Sequence, residues 1–236
     1  MWAGPRNVST ALMYAFAQRQ DTKVVDEPLY GHYLHTTQTD HPGKEEVLAS
    51  METDGNKVVS EVIFGPCLKP ILFVKNMAHH CINLPFSFLE GMVNLFLIRH
   101  PAQVIHSFAK TIAYPNMRDV AFEAQYQLFQ YLVQSGREPL VMDSSRLLSD
   151  PSAYLLALCR QLDIPWYPAM LTWNPGPITE DGIWAKYWYQ QVHQSTGLIT
   201  RQPDLSVKVP EHLQPLQDAC MPFYEAMLQK AIHVTS

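Results

Sequence analysis

Short, continuous apolar runs alternate along the chain with longer segments whose apolar positions recur at helical spacing. This alternation predicts strands and helices in turn. Leu12, Ala15 and Phe16 share one helical face and predict a helix over about 9–19. A short strand over 23–25 follows and ends at Asp26-Glu27-Pro28. The runs 71–75 (ILFVK) and 94–98 (NLFLI) have the composition of strands buried on both faces, and 140–142 is a third such strand. Helices are predicted over 45–52, 118–134, 184–194 and 211–231, whereas 57–63 fits either pattern. Pro101 and Pro151 each stand where proline opens a helix; Asp150 caps the second, which runs to about 162. The expected fold class is therefore α/β: three layers, α/β/α, around a mainly parallel central sheet.

One segment breaks the alternation. Residues 164–183 contain Pro165, Pro168, Pro175, Pro177, Gly176 and Gly182, and read as a long ordered surface loop. Loops of this length in compact domains are often lids or binding elements.

Composition narrows the class. At 236 residues, 47% of them apolar, the chain suits one α/β domain spanning 1–236 better than two small ones. A formal net charge of −5 argues against general nucleic-acid binding. A local basic pocket stays open, because Arg6, Lys75 and Arg99 each stand where a strand ends. Cys67, Cys81, Cys159 and Cys220 form no CxxC pair and no zinc-type cluster. They read as free thiols of a reducing compartment. Pro5, Arg6 and Asn7 interrupt any leader-like apolar stretch, and no run approaches the roughly 20 apolar residues of a membrane span. The expected location is the cytoplasm, with no membrane partner.

The chemistry starts in the first loop, Gly4-Pro5-Arg6-Asn7-Val8-Ser9-Thr10, ahead of the first helix. A helix start offers open N–H groups and a positive dipole end to an anion. Ser9 and Thr10 add hydroxyls and Arg6 a charged fork of donors. Counted from Gly4, the second glycine of GxxxxGK[ST] falls at Ser9 and its lysine at Thr10, so this is not an NTPase P-loop. The plainer reading, a helix start capped by Ser9, stands beside it. A phosphate loop should follow a strand, and only Met1, Trp2 and Ala3 precede Gly4; either that strand is very short or the sequence begins late. Arg99 offers a second anion site at the end of the strongest strand, where ligands bind in open α/β sheets. Ser107 lies two helical turns further on and can converge with it on one phosphate. The plainer reading pairs Arg99 with a carboxylate and leaves Ser107 in solvent.

These motifs, PRNVST followed by LIRHPAQVIHSF, resemble those of the sulfotransferases that use 3′-phosphoadenosine 5′-phosphosulfate (PAPS). The resemblance extends to a group labelled aminotransferase-like, in which PRNVST, DEP and IRHP recur, although the sequence shows no site for a pyridoxal phosphate Schiff base. It implies a P-loop NTPase-like sulfotransferase fold. It also implies that Pro5, Arg6, Asn7, Val8, Ser9 and Thr10 hold the 5′-phosphosulfate, while Arg99 and Ser107 hold the 3′-phosphate. The implied partners are a nucleotide donor and a small-molecule acceptor bearing a hydroxyl or amine, with no metal. Asp26-Glu27-Pro28 resembles the motif that carries the catalytic base in some members, and Gly182-Ile183-Trp184-Ala185-Lys186 faintly resembles a late Gly-Asp-Trp-Lys segment. The Lys-Thr-His of cytosolic members is replaced by Lys75-Asn76-Met77, with His79 and His80 beyond, and the late Arg-Lys-Gly loop is absent.

Sulfuryl transfer is an in-line displacement like phosphoryl transfer, and needs positive donors at the leaving group. Arg6, Ser9, Thr10 and the loop N–H groups suit that task. Glu27 is the first candidate for the base, or else a carboxylate capping the next helix. His80, with His79, is the second candidate, or else part of a surface pair. Lys75 either neutralises charge at the transferred group or is a solvated strand-terminal lysine. Trp184 and Lys186 line a pocket or, the favoured reading, belong to a packing helix. A nucleotide kinase or hydrolase, and a non-catalytic binder of a phosphorylated ligand, are the competing functions.

Overall fold

The structure, a computed structural model, describes residues 1–202 and 206–234. In chain order its elements begin with β1 (Trp2–Ala3), α1 (Ser9–Ala17), β2 (Thr22–Asp26), α2 (Tyr30–Thr37), α3 (Lys44–Ser50) and α4 (Gly55–Val58). They continue with β3 (Ile71–Met77), β4 (Leu95–Ile98), α5 (Pro101–Phe108), α6 (Met117–Val120), α7 (Phe122–Gln134), β5 (Leu140–Asp143), α8 (Ser144–Ser149) and α9 (Pro151–Gln161). The last are α10 (Ala185–Trp188), α11 (Gln190–His193) and α12 (Gln214–Leu228).

The five strands form one sheet in the order β2-β3-β1-β4-β5, every pairing parallel. Successive strand side chains point to opposite faces. Trp2, Phe96, Ile98 and Val141 enter an apolar cluster with side chains of α5, α7 and α12. Ala3, Leu95, Leu97 and Met142 enter the other cluster, with α1 and α9. The sheet is thus covered on both faces, which explains why its strands read as unbroken apolar runs. The expected three-layer α/β architecture is the observed one.

A two-residue strand, β1, is enough to carry the first loop. It lies at the centre of the sheet, paired to β3 and β4. Gln125 of α7 donates from its amide to Trp2 O and Leu97 O, both at 2.9 Å, and so ties the carboxyl ends of β1 and β4 together.

Several boundaries differ from expectation. The helix expected over 118–134 is two, because Ala121 adopts a left-handed conformation (φ 61°) between α6 and α7. Gly4 packs against this break: a Cβ there would stand 3.1 Å from Val120 O. The expected helix 184–194 is likewise interrupted at Tyr189, between α10 and α11. The ambiguous 57–63 is a wide helical turn, Val59–Ile63, following α4. The Pro-rich loop is anchored by buried Met170 and Trp173 and by the Arg19 guanidinium, which donates to Pro165 O. None of residues 164–183 borders the main cleft, so this loop is a brace against α1 rather than a lid. Cys81, Cys159 and Cys220 are buried and all four cysteines are free. No helix among the described residues is long and apolar enough to cross a membrane.

Candidate functional site

A cleft of about 610 Å³ opens at the carboxyl ends of the strands. Pro5, Arg6, Asn7, Val8, Ser9 and Thr10 border it, as do Glu27, His79, His80, Arg99 and Ser107. Residues singled out along a hundred positions of sequence therefore meet in one cavity. Sheet topology is the reason: each loop that follows β1, β2, β3 and β4 emerges on the same edge.

The first loop holds a demanding backbone. Arg6 (φ 60°) and Val8 (φ 54°) are both left-handed. For a β-branched residue such as Val8 this conformation is a genuine outlier. Strain of this kind persists where the surroundings over-determine it, and it collects at ligand sites. Here the surroundings are identifiable: Asn7 is buried and its amide donates to Leu97 O. The Arg99 guanidinium donates to Arg6 O at 2.6 Å. Val8, not Ser9, is the capping position of α1, and no side chain caps it. The N–H groups of the first turn remain open to the cleft. The Arg6 guanidinium spans to the end of α5 and the turn beyond it, lying over Phe108 and donating to Thr111 Oγ1 at 3.3 Å.

Arg99 is half-buried and takes Gln103 Oε1 (2.9 Å) and Arg6 O as acceptors. It makes no ion pair with a carboxylate among the described residues. Arg99 and Ser107 border the same cavity.

The other group of residues centres on Glu27. Asp26 ends β2, paired to Lys75, and the Glu27 N–H donates to Lys75 O at 2.7 Å. The chain then turns through a left-handed Glu27 (φ 40°) into α2. No side chain caps α2. The Glu27 carboxylate turns to Lys75 instead, whose Nζ donates to Glu27 Oε1 at 2.5 Å and Asp26 Oδ1 at 2.9 Å. Lys75 is completely buried and does not border the cleft, so it reaches the site only through these carboxylates. Burial works against its ammonium, but the charges of Asp26 and Glu27 outweigh that and raise its pKa. Burial, with the like charge of Glu27 added and Lys75 opposing, lifts Asp26 to about 6.

Tyr189 completes this cluster and was not foreseen. Its hydroxyl donates to Asp26 Oδ2 at 2.8 Å, accepts from Trp184 Nε1 at 3.2 Å and from Lys75 Nζ, and lies 3.3 Å from Glu27 Oε1. Burial and both carboxylates hold its pKa well above the ordinary value, so it remains a donor. The Pro-rich loop contributes Gly182 N–H to Asp26 Oδ2 at 3.2 Å. Trp184 is buried packing, and Lys186 points away to Glu46 at 2.6 Å.

His80 is buried, stacked on Tyr30 (4.9 Å) and Tyr33 (4.7 Å), with Nδ1 3.9 Å from Glu27 Oε2 and without a hydrogen bond. His79 meets Tyr33 edge-on at 4.9 Å. Neither is a surface histidine. Burial, first of all, pushes both imidazoles well below their ordinary 6.5 and keeps them neutral. Their depressed values give a sign for stability. The unfolded chain gains protons below pH 6.5 that the folded chain refuses, so this stability is complete above 6.5 and is lost as pH falls. Asp26, raised, acts with the opposite sign. The variant His80→Phe retains the ring stack, and its Tm is expected to fall less than wild type between pH 6.5 and 5. Parallel melting curves across that range check this.

The comparisons with known proteins bear on the family and the fold. A family model described as "Sulfotransferase domain" matches residues 1–231. Two Arabidopsis thaliana proteins are similar: branched-chain-amino-acid aminotransferase-like protein 2, 38% identical over all of this chain, and protein 1, 42% identical over 83% of it. The chain spans 42% and 35% of their respective lengths. Among solved structures, the sulfotransferase domain of the Synechococcus PCC 7002 olefin synthase superposes with a TM-score of 0.54 at 14% identity, covering 96% of this chain and 92% of that one. That likeness supports the fold, and the family match goes further: the chain belongs to the sulfotransferase domain family.

Proposed function

We propose that the chain transfers a sulfuryl group from PAPS to a hydroxyl or amine of an acceptor. The observation that carries this reading is the single cleft bordered by an open helix start, the Arg99–Ser107 pair and Glu27. The residues fit such a donor: two separate groups of anion-binding donors, Arg6 to Thr10 and Arg99 with Ser107, face one cavity. The donor supplies an activated sulfuryl group and leaves as 3′-phosphoadenosine 5′-phosphate. The acceptor oxygen or nitrogen forms the new bond to sulfur as the bridge to the leaving phosphate breaks. Arg6 and the first-turn N–H groups of α1 stabilise the charge that grows on that phosphate.

The acceptor proton goes to Glu27. Its Oε1 is held by Lys75, which leaves Oε2, on the side of His80, to take the proton. Neutral His80 is the second candidate. Lys75 and Tyr189 act through Glu27, as positioning residues. Lys75, held charged between two carboxylates, is not placed to form a Schiff base.

Thermal denaturation with 3′-phosphoadenosine 5′-phosphate tests the donor assignment. At 100 times its dissociation constant, the ligand is expected to add about 2.7 kcal/mol without any metal. Stabilisation by ATP with magnesium alone, and not by this ligand, would transfer the argument to a kinase or hydrolase.

A further inference from the structure

Beside the main cleft lies a second cavity of about 350 Å³. The two share Tyr33, His79 and Arg118 as common walls. The second cavity runs between the short helical turn Ala78–Cys81 and α7. Ala78, Cys81, Ile82, Leu84, Phe86 and Leu128 supply its apolar lining. Its acidic and basic side chains, Glu123 and Arg118, are both exposed.

We infer that the second cavity receives the apolar tail of an elongated acceptor, whose hydroxyl or amine end lies at Glu27. Three observations point to this occupant. The cavity adjoins the Glu27 side of the cleft, through the Tyr33 and His79 rings that pack on His80. It does not adjoin the Arg99–Ser107 side, so the donor does not compete for it. Its inner wall is uncharged: burial keeps His79 neutral and pushes the Cys81 thiol up to about 12. The polar side chains that border it, Asn83, Arg118, Glu123 and Gln127, are all exposed, so an anionic or strongly polar tail would lose its hydration along the inner wall, whereas an alkyl chain gains by leaving water.

This inference rests on the sulfuryl-transfer reading for the identity of the head group, but binding alone tests the tail. The probes are primary alcohols from butanol to dodecanol, titrated calorimetrically into protein saturated with 3′-phosphoadenosine 5′-phosphate. Affinity is expected to rise about fourfold per methylene, the equivalent of ~0.8 kcal/mol, until the cavity is filled. Ala124 and Gln127 border the second cavity and not the first. Ala124→Leu and Gln127→Trp should flatten this dependence and leave butanol binding unchanged. Gln127 is exposed, so its replacement does not burden the core. A wild-type affinity independent of chain length, or a slope that both variants preserve, overturns the inference. Failure of transfer from PAPS, with the chain-length series intact, would instead overturn the reaction and leave the tail site standing.

Discussion

Glu27→Gln is expected to lower turnover roughly 10²–10⁴-fold, the usual contribution of a positioned general base. Binding of 3′-phosphoadenosine 5′-phosphate should be unchanged. The substitution keeps the size of the side chain and an oxygen for Lys75 to donate to, but removes the oxygen that takes the acceptor proton. Glu27 belongs to the cleft, while the anion-binding groups stand on other loops, so the two readouts separate. Turnover near the wild-type level would remove Glu27 as base and move the role to His80, whose Nδ1 is already unpartnered. Single-turnover sulfuryl transfer, measured beside ligand affinity, decides between them.

Lys75→Met is expected to cost about 3–5 kcal/mol of stability, because it leaves Asp26 and Glu27 as neighbouring buried carboxylates without their counter-charge. The loss should depend on pH. Without Lys75, the carboxylates hold protons to higher pH in the folded state than in the unfolded one. Stability of the variant relative to wild type should then recover as pH falls from 7.5 to 5. Urea denaturation of both proteins at the two pH values checks this; the contribution of His79 cancels in the comparison, while His80, freed of the Lys75 charge that helps to lower its pKa, adds to the recovery with the same sign. The double variant Asp26→Asn, Lys75→Met should recover part of the loss at neutral pH. A pH-independent deficit would mean that Lys75 matters through packing alone.

The strands, the layer order and the placing of both candidate motifs at one cleft are legible in the sequence because each is local. A buried strand declares itself as an unbroken apolar run. Arg99 and Ser107 belong to one strand–helix unit, so their spacing alone predicts convergence. Tyr189 is different. Its hydroxyl meets Asp26 across 163 residues. Nothing in the pattern Trp184-Ala185-Lys186-Tyr187-Trp188-Tyr189 marks the last ring as the inward one, yet Tyr187 and Trp188 are exposed and Tyr189 is buried. Only the interruption between α10 and α11, and the Gly182 contact to Asp26, turn it inward. The break at Ala121 was hidden for a similar reason. Alanine carries no signal for a left-handed turn, and the packing partner of that turn, Gly4, belongs to the other end of the unit. From sequence Lys75 reads as a side chain at the reacting group or in solvent; it is instead buried on Asp26 and Glu27, partners adjacent in sequence to each other and remote from it.

The two-residue strand at the centre of the sheet has a kinetic consequence. Its anchors are remote: Met1 bonds Val74, 73 residues away, and Trp2 bonds Asn94, 92 residues away. Contacts of such sequence separation form late, since loop closure must be completed before they are rewarded. The strained first loop hangs from this strand and is held by Leu97 and Arg99. If the loop binds the donor as proposed, competence to bind it is expected only after β3 and β4 have come together. In a refolding experiment, ligand capture should follow the growth of helical signal, and should mark the moment when the two halves of the sheet are joined.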